Sequence, residues 1–471
     1  MPSFNHIGNS YTYFFYMSSV FSENLGAQER RAGISLASIY AFRMFGIFMI
    51  MPVFALYGEK LPGATPLLMG IALGIYGLTQ AALQIPFAMW SDRVGRKPVI
   101  YTGLFIFAAG SIVAGSAETI EGIIFGRALQ GAGAIAATLM ALAADLSREE
   151  HRMKMMALIG ASIGASFALS MVLGPSINAI VGISGIFYGT ALLAIIGMLL
   201  LYFVVPDPVQ SRFHLDAQLK PSSLADVFRD TQLLRLDAGI FILHFVLMCL
   251  FLVMPLLLRD FVGMPPEQHW KIYIPVFFIS LVIMLPFIIL AERKQAMKPI
   301  FIGSIITIII AALGFLSSTG STLFIISLVL FFAGFNLLEA SLPSLISKTA
   351  NATQKGTAMG VYSSSQFLGA FAGGAMGGFA HQYWGFQGVY ITVLAALTIW
   401  LLLAVTMKKP EFLSTYLLNV NSVSIEQLLA VEGVFEAALI EDEKESGSVA
   451  YLKVKKHILD EEKLLSLAAS D

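Results

Sequence analysis

Ser91-Asp92-Arg93-Val94-Gly95-Arg96-Lys97-Pro98 places four charged residues and a glycine within eight positions. Apolar stretches flank it at 65–90 and 98–117. Each is near the length of about 20 residues that crosses a hydrocarbon core. A segment this short can only turn the chain around, and one this charged belongs outside lipid.

Working outward, apolar runs of spanning length recur at 33–57, 65–90, 98–117, 119–146, 153–178, 182–205, 237–259, 270–291, 299–318, 321–346, 356–380 and 386–407. They are apolar on all sides rather than along one stripe, as membrane-buried helices are. The chain of 471 residues is 57% apolar and 13% charged, against roughly 25% charged in soluble proteins. A net charge of −1 offers no field for nucleic acid. A single cysteine, Cys249, excludes an internal disulfide and a cysteine-based metal site. Zinc-protease HExxH, P-loop and GxSxG motifs are missing, so an enzyme is not expected, nor is a cofactor other than a coupling proton.

Lys and Arg concentrate in alternate connections: Arg93, Arg96, Lys97, Arg148, Lys154, Arg293, Lys294, Lys298, Lys348 and Lys355 fall on one side. The positive-inside rule then places both termini in the cytoplasm of a multi-pass protein of a bacterial inner membrane. Residues 1–32 form an N-terminal cytoplasmic segment with no basic start and apolar core of the secretory kind. Its aromatic stretch, Tyr11 to Phe21, either lies in the interface or precedes a start at Met17.

The chain also repeats at an offset near 200. Pro86-Phe87, Asp92-Arg93 and Lys97-Pro98 recur as Pro286-Phe287, Glu292-Arg293 and Lys298-Pro299. Phe48 with Met51-Pro52 recurs as Phe251 with Met254-Pro255, and Gly160 with Phe167 as Gly360 with Phe367. The expected fold class is an all-α membrane protein: twelve transmembrane helices in two six-helix pseudo-repeats, 33–205 and 237–407, joined by a cytoplasmic linker at 206–236. That linker is either a plain tether or carries a short amphipathic helix from Ser222 to Leu236. After Lys408-Lys409-Pro410, residues 411–471 read as βαββα. Strands are expected at 412–420, 434–440 and 449–454, and helices at 424–431 and 460–469, with Ser424 as N-cap and Gly433 as stop. This is most of a ferredoxin-like α+β domain without a last strand. Lacking cysteine, it holds no soft metal, and so small a core favours docking on the membrane domain, a sister tail or a partner.

With these residues in view, the chain resembles the major facilitator superfamily over roughly 33–407. The family's hallmark loop, Gly-x-Leu-Ala-Asp-Arg-x-Gly-Arg-Lys, is matched by Asp92, Arg93, Gly95, Arg96 and Lys97, with Ala88, Trp90 and Ser91 departing from it. Arg127, Gln130, Gly131 and Gly133 match its Arg-x-x-Gln-Gly-x-Gly motif in the fourth run. Gly174-Pro175 matches the core of an antiporter-associated motif, whose flanking glycines are replaced by Ser170, Asn178 and Ala179. Arg43-Met44-Phe45-Gly46 and Phe335-Asn336-Leu337-Leu338-Glu339-Ala340 are similar to the subset grouped with proton-driven drug efflux antiporters. The resemblance implies a conformational latch in which Arg96 bridges Asp92 and Asp145. It also implies a central cavity lined by the first, fourth, seventh and tenth runs.

Arg43, Arg127, His244, Asn336 and Glu339 all fall on those four runs. An ionisable side chain at the centre of a span costs about 2.5–3.5 kcal/mol, so each is a functional candidate. Glu339 is the candidate proton carrier, and His244 titrates near neutral pH when unperturbed. Arg43 and Arg127 either hold an anionic group, modulate the proton site or lock helices together. Glycines at 160, 164, 369, 373, 374, 377 and 378 are expected at close helix contacts. The leading expectation is proton-coupled efflux of a small amphipathic molecule by alternating access. An uncoupled facilitator or proton-driven importer, and a membrane sensor with the tail as output, remain alternatives.

Overall fold

The computed structural model describes residues 26–207, 224–351, 354–408, 414–420, 423–441, 448–455 and 458–469. The aromatic stretch at 11–21, Met17, most of the linker and Ser446-Gly447, where a turn between the second and third tail strands is expected, lie outside them. Helices run in the order α1 (Ala27–Phe48), α2 (Phe54–Gly58), α3 (Pro66–Val94), α4 (Arg96–Gly115), α5 (Ile120–Ala132), α6 (Ala136–Asp145), α7 (Glu149–Phe203), α8 (Leu224–Arg229), α9 (Thr231–Asp260), α10 (Trp270–Arg293), α11 (Met297–Ser317), α12 (Ser321–Thr349) and α13 (Lys355–Val405). The tail adds β1 (Ser414–Val420), α14 (Ile425–Leu429), β2 (Val434–Glu441), β3 (Ser448–Val454) and α15 (Glu461–Ala469). Among the described residues, nine helices are long and apolar enough to cross a membrane.

The chain divides into two compact units, one of residues 1–214 with 251–273, the other of 215–250 with 274–471. Two apolar runs are not single helices. The run at 33–57 breaks between α1 and α2 around Pro52, which has no N–H to continue the helical ladder. The run at 119–146 breaks between α5 and α6, where Gly133 takes φ −73, ψ 53. Conversely, α7 and α13 are 55 and 51 residues long, each interrupted by one non-helical glycine, Gly182 (φ 66) and Gly385 (φ 63). These glycines sit near the same offset as the sequence repeat.

Two lysine contacts stand at a similar offset. Lys97 Nζ donates to the Val205 carbonyl at 2.7 Å, just past the end of α7. Lys298 Nζ donates to Val405 and Met407 carbonyls at 2.9 and 2.6 Å, at the end of α13. Each lysine thus satisfies helix C-terminal carbonyls and opposes the negative end of the helix dipole.

Glycine spacing works differently in the two units. A Cβ on Gly369 or Gly373 would collide with the Phe241 or Phe245 carbonyl of α9, so α13 approaches the α9 backbone directly. At Gly160 and Gly164 a Cβ would meet nothing within 4 Å, which corrects the expectation of close packing there. Within the second unit, Trp400 is buried, its indole Nε1 lying 2.9 Å from where a Cβ of Gly239 would sit.

In the tail, β3 pairs antiparallel with both β1 and β2, giving the order β1-β3-β2. Ser424 and Gln427 form a capping box at the start of α14; the helix ends earlier than expected, at Leu429 with Ala430 as C-cap, and Gly433, at φ 89, turns the chain into β2 instead of stopping the helix. Leu418, Leu428, Ala450, Leu452, Val454 and Leu464 fill the core. Lys453 is a buried strand residue whose Nζ donates to the Ala350 carbonyl at 2.6 Å and pairs with Glu436 at 3.3 Å. Ala350 is the C-cap of α12, so the lysine caps the helix that carries Asn336 and Glu339.

Candidate functional site

The charged loop is built as a knot around one guanidinium. Gly95, at φ 95, ψ 158, ends α3 and starts α4 within one residue, a backbone conformation that suits glycine. This sharp junction brings Arg96 back over the last turn of α3. There its Nη1 donates to Asp92 and, at 2.7 Å, to Ser91 Oγ, while its Nε donates to Asp145 Oδ2 at 3.2 Å. Arg96 and Asp145 are buried, with 4% and 1% of their side chains exposed, whereas Asp92 is 34% exposed. Ser91, which replaces the family's alanine, is therefore a working ligand of Arg96. Arg93 is exposed, and Lys97 turns away to Val205 and Asp207.

Two separate clusters hold the intramembrane candidates. In the first unit, Arg43 Nη2 donates to Gln80 Oε1 and, at 3.0 Å, to the Gly133 carbonyl. That carbonyl lies at the break between α5 and α6. Arg127 donates to the Ala72 and Leu73 carbonyls of α3 at 3.3 and 3.1 Å and to Gln130 Oε1 at 3.0 Å; Gln130 in turn donates to Ser111. Both guanidiniums flank the Tyr76 ring, with Cζ 5.9 and 5.5 Å from its centroid. Both arginines are buried, and Nε and Nη1 of Arg43 have no hydrogen-bond partner. Gly131 lets α5 touch the backbone of α3 at Tyr76, and Gly174, beside Pro175, approaches the Met49 carbonyl at the α1 break. Gly131 thus lets α5 lie against α3, the helix whose Ala72 and Leu73 carbonyls Arg127 reaches.

In the second unit, Glu339 of α12, His244 of α9 and Gln366 of α13 meet. Gln366 Nε2 donates to Glu339 Oε1 at 3.2 Å and to His244 Nε2 at 2.9 Å. The second ring nitrogen, Nδ1, faces the Ile240 carbonyl at 3.3 Å. An amide nitrogen only donates, so Nε2 accepts and the proton sits on Nδ1: the imidazole is neutral in this arrangement. Glu339 Oε2 lies 3.9 Å from His244 Nε2. Glu339 is partly open, with 37% of its side chain exposed. Asn336 stands apart and donates to Ser280 Oγ at 3.1 Å. Gln366 was missed in the sequence because a neutral amide in an apolar helix raises no electrostatic flag. Its position one turn beyond Tyr362 on α13 was the available signal.

Outside the spans, Glu29 ties the start of α1 to the start of α7. It accepts from the Arg148 backbone N–H at 2.8 Å and pairs with the Arg148 guanidinium and with His151 Nδ1 at 2.9 Å. Burial pushes its acid strength down, but these hydrogen bonds outweigh burial and hold its pKa at about 2.

Helical units that bury ionisable groups inside apolar helices, behind a charged hairpin loop, define a membrane transporter rather than an enzyme. The Major Facilitator Superfamily model matches residues 36–374 and 298–419, and the chain belongs to that superfamily. It is 43% identical over 433 residues to the inner membrane transport protein YajR of Escherichia coli K12, covering 90% of this chain and 94% of that one. It is 27% identical over 364 residues to multidrug resistance protein 2 of Bacillus subtilis, covering 73% and 87%. Among solved structures, a bacterial homologue of the human lysosomal transporter Spinster superposes with a TM-score of 0.67 at 13% identity, over 81% of this chain and 96% of that one. At that identity the likeness concerns the fold alone.

Proposed function

We propose that the protein exports a small amphipathic molecule across a bacterial inner membrane in exchange for protons, by alternating access. The observation that carries this reading is the Glu339–Gln366–His244 cluster. A partly open carboxylate in an apolar helix is costly unless it is used, and here one amide donor links it to a neutral imidazole. Protonating Glu339 or His244 changes which atoms can accept from Gln366, so the amide must reorient and the three helices that carry the cluster respond. The reading is supported by the name of the Bacillus relative and by the Gly174-Pro175 motif. The inner-membrane assignment follows the Escherichia coli relative.

Twelve spans are part of the same proposal. Helices of 55 and 51 residues would run about 80 Å at 1.5 Å per residue, roughly twice the thickness of a bilayer with its headgroups. Splitting each at its interrupting glycine adds two spans to the nine, and α1 with α2 supplies the twelfth. The βαββα tail with strand order β1-β3-β2 is read as a ferredoxin-like fold lacking its last strand, with both termini cytoplasmic. The Arg96 knot is read as a latch that secures the inner face in the outward-facing state.

The test is proton release from the purified protein on adding lipophilic cations, carboxylates or neutral amphiphiles, read with a pH dye. Wild type is expected to release protons with at least one class, and Glu339→Gln is not. Release that is unchanged in the variant removes Glu339 as the coupling group. Counterflow that ignores the pH gradient would favour the facilitator.

A further inference from the structure

Asp237 is the buried group the sequence reading passed over, because it stands where the linker gives way to the seventh apolar run. It lies six residues into α9 and is 5% exposed, and neither carboxylate oxygen has a hydrogen-bond partner. The Tyr362 hydroxyl on α13 and Glu339 Oε2 on α12 are likewise buried and without hydrogen-bond partners. Tyr362 lies in the electrostatic field of both Asp237 and Glu339.

These groups form a ladder. Measured from the end of the unit where the tail docks, at 1.5 Å per residue, Asp237 and Tyr362 lie about 10 Å along their helices, Glu339 and Gln366 about 15 Å, and His244 about 20 Å. Asp237 and His244 are seven residues apart on α9, two turns along one face, and Tyr362 and Gln366 are one turn apart on α13. An ionised carboxylate with no partner is far costlier to bury than a neutral acid. Arg235, two residues away on the same helix, is half-buried, and Tyr362 of α13 is an ionisable group within electrostatic reach of Asp237. Glu339 and His244 face it only from the next level.

We propose that Asp237 is a second proton-binding site, one level nearer the tail-side end than Glu339, and that the Tyr362 hydroxyl stands between the two carboxyls. Once side-chain rotation closes the gaps that leave the Asp237 oxygens, the Tyr362 hydroxyl and Glu339 Oε2 without hydrogen bonds here, a proton leaving Asp237 is taken up by the hydroxyl oxygen as the hydroxyl proton passes on to Glu339. Tyr362 ends neutral, Asp237 ionised and Glu339 protonated, so charge and protons balance. This rests on the proton-coupled reading of Glu339 only for the direction of transfer, not for the binding of the proton.

The experiment is infrared difference spectroscopy of the full-length protein in lipid, titrated from acid to alkaline pH with no solute. Wild type is expected to show a carboxylic-acid carbonyl band that persists at neutral pH. Asp237→Asn should lose it, Asp237→Glu should shift it rather than remove it, and Glu339→Gln should keep it. Superimposable wild-type and Asp237→Asn spectra at every pH would overturn the proposal, provided both elute as monodisperse protein; if Asp237→Asn does not, an Asp237→Glu spectrum identical to wild type overturns it instead. A band lost in Asp237→Asn, together with proton release that Glu339→Gln leaves untouched, would uphold Asp237 as a proton site and sink only the coupling role of Glu339.

Discussion

Asp145→Asn tests whether the charged loop is a built knot or a solvated basic turn. Arg96 and Asp145 are almost wholly buried, 3.2 Å apart. Breaking a buried pair costs about 3–5 kcal/mol, because the surviving charge is stranded. Arg96 would keep Ser91 Oγ at 2.7 Å and Asp92, which sets the expected cost near the lower end, about 3 kcal/mol. Asp92 is one-third exposed, and exposed pairs are worth about 1 kcal/mol or less, so Asp92→Asn should cost far less. The assay is reversible unfolding of the purified protein in mixed micelles, with Arg96→Gln completing a double-mutant cycle. The cycle should return a coupling between Arg96 and Asp145 that exceeds the coupling between Arg96 and Asp92 by about 2 kcal/mol. Two asparagine variants of equal cost, or two with none, would refute the asymmetry and return the loop to a solvated, orientation-setting segment. As a latch, both variants should also shift distance labels on the inner face toward the inward-open state.

Further outcomes follow from other contacts. The Glu29 clasp contributes stability that is complete above its ordinary pKa of 4.5 and disappears as pH falls through about 2. That gap is worth at most about 3 kcal/mol, so Glu29→Gln should destabilise at neutral pH and flatten the acid limb of the stability curve. Gly373→Ala should cost about 1–3 kcal/mol by forcing α13 off α9, whereas Gly160→Ala should be near neutral; equal effects on unfolding would contradict the packing. Arg43→Gln should remove the charged donor from Gln80 Oε1 and the Gly133 carbonyl, which keep the Tyr76 hydroxyl at 3.5 Å and the Ile135 N–H at 2.9 Å, and lower stability by about 2 kcal/mol, with Arg43→Lys rescuing only in part. Lys453→Met should loosen the tail, read as faster proteolysis at its junction with the membrane region.

The apolar runs and the charged loop were legible in the sequence because lipid burial leaves a coarse signature. The loop residues Asp92, Arg93, Gly95, Arg96 and Lys97 mark themselves by charge alone. What escaped was local backbone: α1 and α5 end near Pro52 and Gly133, whereas Pro86, Pro275 and Pro286 lie inside continuous helices, so a proline or glycine in an apolar run does not by itself say where the helix breaks. The polar partners were hidden for a related reason. Gln80 and Gln366 carry no charge and belong to no motif, unlike Gln130, and their roles appear only when a break such as that at Gly133 exposes a carbonyl or when two helices bring an amide against a carboxylate. Asp237 was visible as a charge but stood at a boundary, where a charge is unremarkable until its burial is known. The glycines at 160 and 164 show the converse: a small-residue spacing that the sequence makes suggestive and the packing leaves unused.

The chain has four tryptophans, and Trp90, Trp270 and Trp384 lie at the surface while Trp400 is buried against Gly239 and edge-on to Phe301 at 5.8 Å. Gly239 is two residues from Asp237 and five from His244, on the same helix. A variant retaining only Trp400 would therefore carry an optical probe, placed by nature, whose emission colour and quenching follow the helix that bears both groups without any added dye.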